Sequence, residues 1–313
     1  MKGSTALRSA LGRRRKAAAG TAASLAVLAL GLGAVPLTAG TAAADSGTAI
    51  TQAGASATSV GLRDYGRDGI GDLVTFDSKG RLSIQPGKGD GTIDTAHKAL
   101  AGGWPTSSLF VPFGDLNGDG CQDLLVRNNT TGYLTAYNGT CGKAVTPNTP
   151  HRVIGGGFNK YKFITRPGDM DSDGDPDLIA LDTKGELYRF FADGKGGLLP
   201  PKSVVSGQNY VSMIGAGDLN GDGIGDLLAL DRSGVLWRLL GTGPFTYSIR
   251  ARIADGIFVT ALAVPGDLTG DGRPDLVGRD SSGTLWRWNG TSSATFGTKA
   301  KISTGWYAYT ALY

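Results

Sequence analysis

Asp218-Leu219-Asn220-Gly221-Asp222-Gly223-Ile224-Gly225-Asp226, running straight into Leu227-Leu228-Ala229-Leu230, is the stretch on which the reading of this chain turns. Side-chain oxygens at loop positions 1, 3, 5 and 9, a backbone carbonyl at 7 and a glycine at 6 make the all-oxygen shell that a hard cation such as Ca2+ prefers. The pattern recurs at Asp115, Asn117, Asp119 and Asp123, at Asp169, Asp171, Asp173 and Asp177, and at Asp267, Thr269, Asp271 and Asp275. A reduced copy at Asp64, Asp68 and Asp72 has Gly66 at the third position and so lacks one ligand. Successive first aspartates lie 51, 54, 49 and 49 residues apart, which marks five copies of one unit.

Each loop leads into a short apolar run: Leu73-Val74-Thr75-Phe76, Leu124-Leu125-Val126, Leu178-Ile179-Ala180-Leu181, Leu227 to Leu230, and Leu276-Val277. A tight turn follows, Asp77-Ser78-Lys79-Gly80 and its equivalents at Asp182, Asp231 and Asp280, in which the aspartate bonds its own backbone and the glycine takes positive φ. The second unit carries a longer turn, Asn128-Asn129-Thr130-Thr131-Gly132. The chain then returns through runs such as Leu236-Trp237-Arg238-Leu239 and Leu285-Trp286-Arg287-Trp288, adds a third strand, and starts a fourth after a glycine, as at Gly103-Trp104 and Gly305-Trp306. Four short strands per unit, with no helical period, is the grammar of a propeller blade. We therefore expect an all-β fold over residues 58–313, a five-bladed β-propeller with four-stranded blades and Asp-rich calcium loops. The repeat region opens at a loop and closes in a segment that elsewhere precedes one, so a ring completed by the C-terminal strand removes both open edges. A straight solenoid is the alternative.

Residues 1–44 stand apart. Lys2, Arg8, Arg13, Arg14, Arg15 and Lys16 form a basic front, Ala17 to Leu32 an apolar middle, and Ala42-Ala43-Ala44 a small-residue cleavage site. That composition reads as a secretory signal peptide, and hence as a secreted, extracellular protein. A retained membrane anchor is the alternative, weakened by glycines and Pro36 within the apolar span. Residues 45–57 are small and polar and read as a flexible lead-in. Without the leader's six basic residues, 25 Lys and Arg face 27 Asp and Glu, so no basic tract remains to suggest nucleic acid, and no apolar stretch suggests membrane insertion. Cys121 and Cys141 lie almost equidistant from the turn at Thr130 and Thr131, so antiparallel pairing brings them together. A disulfide is expected in an oxidising compartment, contributing on the order of 3 kcal/mol.

At the level of these motifs the chain resembles the FG-GAP/VCBS repeat family, whose signature loop is matched by Gly114-Asp115-Leu116-Asn117-Gly118-Asp119-Gly120 and by Gly217-Asp218-Leu219-Asn220-Gly221-Asp222-Gly223. The resemblance implies propeller blades with a calcium ion in the loop joining the first two strands of each, as in integrin heads and several fungal and invertebrate lectins. The Gly-x-Leu-Trp-Arg strands at Gly234 to Arg238 and Gly283 to Arg287 also look like those of sugar-binding propellers. A narrower resemblance is to the propeller lectins at the spoke tips of umbrella-shaped toxin particles exported by filamentous soil bacteria. It implies cell-surface glycans and other subunits of a secreted complex as partners.

No enzyme site stands out. Loops and turns absorb all but five of the 26 aspartates, the one glutamate is Glu186, and the two histidines, His97 and His151, are far apart in sequence. Binding is the stronger expectation. Trp104, Trp306, Trp237 and Trp286 offer flat faces to a sugar ring. Trp104 and Trp306 are the leading candidates because a strand start after a glycine is expected near a blade rim, whereas aromatics at the same mid-strand position in successive blades read as core between blades. A protein-interaction scaffold without sugar binding is the second reading.

Overall fold

The computed structural model describes residues 63–313, Phe245 excepted. The expected leader and lead-in lie outside the described residues, as do residues 58–62. Among the described residues, twenty strands form five four-stranded antiparallel sheets. The first blade holds β1 (Leu73–Asp77), β2 (Leu82–Gln85) and β3 (Ala99–Ala101), the second β4 (Leu109–Gly114), β5 (Asp123–Arg127), β6 (Leu134–Tyr137) and β7 (His151–Gly155). The third comprises β8 (Tyr161–Thr165), β9 (Leu178–Asp182), β10 (Leu187–Phe190) and β11 (Lys202–Val205). The fourth comprises β12 (Ser212–Gly217), β13 (Asp226–Leu230), β14 (Leu236–Leu239) and β15 (Ala251–Ala254), and the fifth β16 (Ala261–Gly266), β17 (Asp275–Arg279), β18 (Leu285–Gly290) and β19 (Phe296–Ser303).

The ring closes as the sequence requires. β20 (Tyr309–Leu312) pairs with β1, setting Thr75 opposite Leu312 and Phe76 opposite Ala311, and becomes the fourth strand of the first blade. Five core clusters confirm the circle, because each is shared by two neighbouring blades. One, for instance, packs Val111, Phe113 and Leu134 of the second blade on Tyr161, Ile164 and Phe190 of the third. Another packs Val277 and Leu285 of the fifth on Leu73 and Leu312 of the first. A solenoid would lack the second.

Burial on both faces explains why the second strands read as unbroken apolar runs instead of alternating ones: every residue of β1, β5, β9 and β13 is buried. The gradient reverses outward. β7 and β11 are largely exposed and β19 carries Lys299 and Lys301, charges that discourage edge-to-edge pairing with another chain.

Candidate metal loops and binding clefts

The five loops share one hydrogen-bonding scheme. The first aspartate accepts backbone N–H groups within its own loop: Asp115 Oδ1 takes those of Asn117, Gly118 and Asp119, and Oδ2 that of Gly120. Asp64 does the same with the N–H groups of Asp68 and Gly69, Asp169 with those of Ser172 and Gly174, Asp218 with those of Gly221 and Gly223, and Asp267 with those of Gly270 and Gly272. The ninth residue is a buried buckle. Asp177 Oδ2 accepts from Met170 N at 2.7 Å, and Oδ1 from Ala192 N at 3.0 Å, across the blade in the turn after β10. Asp72, Asp123, Asp226 and Asp275 tie their loops to Gly87, Gly139, Gly241 and Gly290 in the same way. The backbone demands glycine at position 6, where φ runs from 82° to 94° in all five loops (Gly69, Gly120, Gly174, Gly223, Gly272).

Burial pushes these ninth carboxyls up, Asp72 to about 6 and Asp177 and Asp226 to about 7, while the amides they accept pull the other way. Repulsion from Asp171 and Asp169 adds to the rise at Asp177. Asp123 and Asp275 move upward for the same first reason. In the third loop, carboxylate oxygens of Asp169, Asp171 and Asp177 come within 4.8 Å of one another, and Asp171 Oδ1 is buried with no donor. Three converging carboxylates and an orphaned acceptor are the donor chemistry of a hard divalent cation, so the residues fit calcium. Elsewhere the third side chain is neutral: Asn117 and Asn220 donate to Asp119 and Asp222, and Thr269 to Asp267. Asp119, Asp173, Asp222 and Asp271 each accept a backbone N–H two residues on, as does Asp68. Cys121 and Cys141 form the expected disulfide, joining the second loop to the turn beyond β6.

The aromatic expectation needs correction. Trp104 and Trp306 are 6% and 2% exposed, in the core between blades and not at the rim. Their N–H groups are spent on Val145 O and Ser303 Oγ. The physical reason is a five-fold contact in which the residue after the glycine donates its backbone N–H to the hairpin glycine of its own blade: Trp104 to Gly80, Phe158 to Gly132, Gln208 to Gly185, Ile257 to Gly234, Trp306 to Gly283. That contact fixes the side chain at the blade interface and leaves the next residue outside. Phe258 and Tyr307 are 72% and 69% exposed and lie over Gly234 and Gly283, where a β-carbon would come within 2.8 Å and 2.7 Å of their rings. Strand alternation does not find them, because Trp306 and Tyr307 lie in a short 3-10 turn (Trp306–Ala308) after the glycine.

Trp237 and Trp286 are half-buried. Their N–H groups donate to Asp231 and Asp280, and each ring carries a cation, Arg250 at 4.4 Å and Lys299 at 4.5 Å. Beside Arg250 opens a cleft of about 470 Å³ between the third and fourth blades, walled by Val204, Gln208, Leu239, Tyr247 and Ser248. A second cleft, about 270 Å³, lies between the second and third blades, walled by Ile154, Phe158, Phe190, Leu198 and Pro201. The two occupy the same step of the repeat, since Phe158 and Gln208 both follow the strand-start glycine and Phe190 and Leu239 both end the third strand of their blades. The exposed His97 contacts Asp94, the Ser203 hydroxyl donates to Glu186, and the His151 ring lies tilted against Tyr137.

Comparison with known proteins agrees with the repeat. No curated protein matches. Among solved structures, an Agrocybe aegerita lectin described as specifically recognising non-reducing terminal N-acetylglucosamine is 16% identical, covering 75% of this chain and 77% of its own, with a TM-score of 0.41. Prp20p from Saccharomyces cerevisiae, described with its binding to Gsp1p and histones, is 12% identical, covering 74% of this chain and 61% of its own, with a TM-score of 0.34. The FG-GAP-like repeat profile matches residues 64–126, 169–229 and 218–278. Each matched span starts on the first aspartate of one loop and ends in the strand beyond the next, and with more than half of its length matched the chain belongs to the FG-GAP-like repeat family.

Proposed function

We propose that this propeller is a secreted, calcium-stabilised and non-catalytic binding module that takes cell-surface glycans into the clefts between neighbouring blades. The observation that carries the reading is the recurrence of a cleft at one step of the repeat, with apolar walls in both copies and polar groups beside them. A sugar ring is bound by that combination, a flat apolar contact for its C–H face and a few placed polar groups for its hydroxyls. Gln208, Ser248 and Arg250 offer the polar contacts in the larger cleft, with Trp237 behind Arg250. Trp286 behind Lys299 holds the equivalent post one blade on. Several weak sites on one rigid ring would add avidity on a glycan-coated surface.

Calcium in this reading is structural. Asp169, Asp171 and Asp177 would hold it, with Asp173 beside them, and the loops beginning at Asp115, Asp218 and Asp267 would do so with an amide or hydroxyl in third place. The ion would turn carboxylate repulsion into a clamp on the blade corner.

A glycan array probed in calcium and in chelator tests the proposal. Binding is expected in calcium, with loss on chelation and weakening on Arg250→Ala. A folded, calcium-loaded protein that retains no glycan would leave the second reading, a protein-docking scaffold, which the exposed Phe258 and Tyr307 favour. The narrower role, a spoke-tip subunit of a secreted toxin particle, requires the chain to co-sediment with large partner subunits from culture medium.

A further inference from the structure

The inner strands of all five blades surround a cavity of about 140 Å³ on the axis, lined mainly by apolar residues such as Val111, Phe163, Ile214 and Leu312. One charged side chain lines it, that of Arg63, which is 6% exposed. A second guanidinium stands close by: Arg166 follows Thr165, itself a lining residue, and lies over Gly114, where a β-carbon would be 3.0 Å from it. Neither arginine forms an ion pair among the described residues. The Nε atoms of both, Nη1 of Arg166 and the Tyr65 hydroxyl are buried without a partner.

A buried guanidinium without a carboxylate, as at Arg63, is costly, and the half-buried Arg166 beside it repels it. Burial pushes Arg63 down to about 10 and Arg166 to about 9, and the Arg63 charge adds to the effect at Arg166. Asp169 and Asp177 offset part of the Arg166 charge from a distance, but their oxygens already hold the third loop. Elsewhere arginines find partners: the buried Arg127 donates to the carbonyls of Phe158 and Tyr161, and the half-buried Arg279 to those of Trp306 and Tyr309. What Arg63 and Arg166 present is a set of unused N–H donors, joined by a hydroxyl, beside a cavity several times the roughly 30 Å³ of a water molecule.

We infer that the axis of the propeller binds one small oxyanion of the sulfate or phosphate type, held by Arg63, Arg166 and the Tyr65 hydroxyl. Guanidinium forks suit such an anion because they give paired, charge-assisted hydrogen bonds. The site is separate from the clefts between blades and stands whether or not those take sugars. Its place on the axis makes the anion a hub, joining the first and third blades through their inner segments.

Calorimetric titration of the full, calcium-loaded chain with sulfate, in chloride buffer of constant ionic strength, tests the site. One saturable equivalent is expected, weakened at least tenfold by Arg63→Met or Arg166→Met and several-fold by Tyr65→Phe. Acetate run in parallel separates a tetrahedral dianion from a plain carboxylate, and acetate binding as tightly as sulfate would overturn the assignment. So would the absence of a saturable heat, or equal binding by the wild type and both arginine variants. Sulfate binding that emerges only in Asp45→Asn would also overturn it, by making the leading segment's one carboxylate the natural occupant. Should the methionine variants fail to fold, crystals of the wild type soaked in selenate decide. An anomalous peak between Arg63 and Arg166 supports the site, and its absence refutes it.

Discussion

The first and third Asp loops follow the same backbone path with different chemistry. Asp64 and Asp169 each gather loop amides, Asp72 and Asp177 each buckle the loop to the next turn, and Arg67 and Ser172 both hold φ near 60° at position 4. Only the third loop brings three carboxylates within 4.8 Å, because Gly66 stands where Asp171 does. The first loop leans on its neighbour instead. Tyr65 O accepts from Gly142 N, and Arg67 Nη1 lies 4.0 Å from Sγ of the bridged Cys141. The difference teaches that loop path and loop charge are separable here: positions 1, 6 and 9 set the path, position 3 sets the charge, and a disulfide in the next blade stands beside the loop whose third position carries no side chain.

The hardest test of that separation is the buckle. Asp177→Ala and Asp72→Ala each strand buried amides, at about 1–3 kcal/mol apiece, and should lower Tm by roughly 5–15 °C. For Asp72→Ala the loss should be the same in calcium and in chelator. If it vanishes in chelator, the first loop holds metal and the contrast fails. Next in size is the disulfide. Cys141→Ser should cost on the order of 3 kcal/mol, and hydrogen exchange should then rise in the first loop as well as in the second. Exchange confined to the second loop would show that the first does not lean on it.

Asp171→Ala probes the other side of the contrast. It should lower Tm by a few degrees in calcium and leave it unchanged or slightly raised in chelator, since the variant removes one of three like charges. An equal loss in both buffers would mean that no ion sits there. The smallest effect belongs to Gly66→Asp. A β-carbon at Gly66 meets nothing closer than 3.8 Å, and its nearest neighbours are carboxylate atoms of Asp68 and Asp64. The substitution should raise the calcium count by one, measured by native mass spectrometry, with a gain in Tm of about 2 °C or less in calcium and a small loss in chelator.

Most of the architecture was readable because it repeats. The Asp-loop period, the hairpin signals Asp77 to Gly80 and Asp280 to Gly283, and the unpaired last segment were enough to predict five blades and the closing strand. The pairing of Cys121 with Cys141 was readable from their symmetry about one turn. The rim was not. Trp306 and Tyr307 are adjacent aromatics, and only the contact between Trp306 N and Gly283 O decides which of them faces outward. The axial arginines were equally silent, because Arg63 and Arg166 are 103 residues apart, belong to no motif, and acquire meaning only when five inner strands converge. The dual use of the ninth aspartate was half legible: its charge was in the motif, but its bond to a residue 15 or 16 positions on, a glycine in four loops and Ala192 in the third, was not.

The pairing of Phe76 with Ala311 has a consequence for biosynthesis. While the polypeptide is still emerging, the first blade has three strands and presents the bare flank of β1, and it stays that way until more than two hundred further residues have been made. During that interval the same flank is open to the β20 segment of another copy, so crowded nascent molecules are at risk of exchanging these segments and joining into dimers.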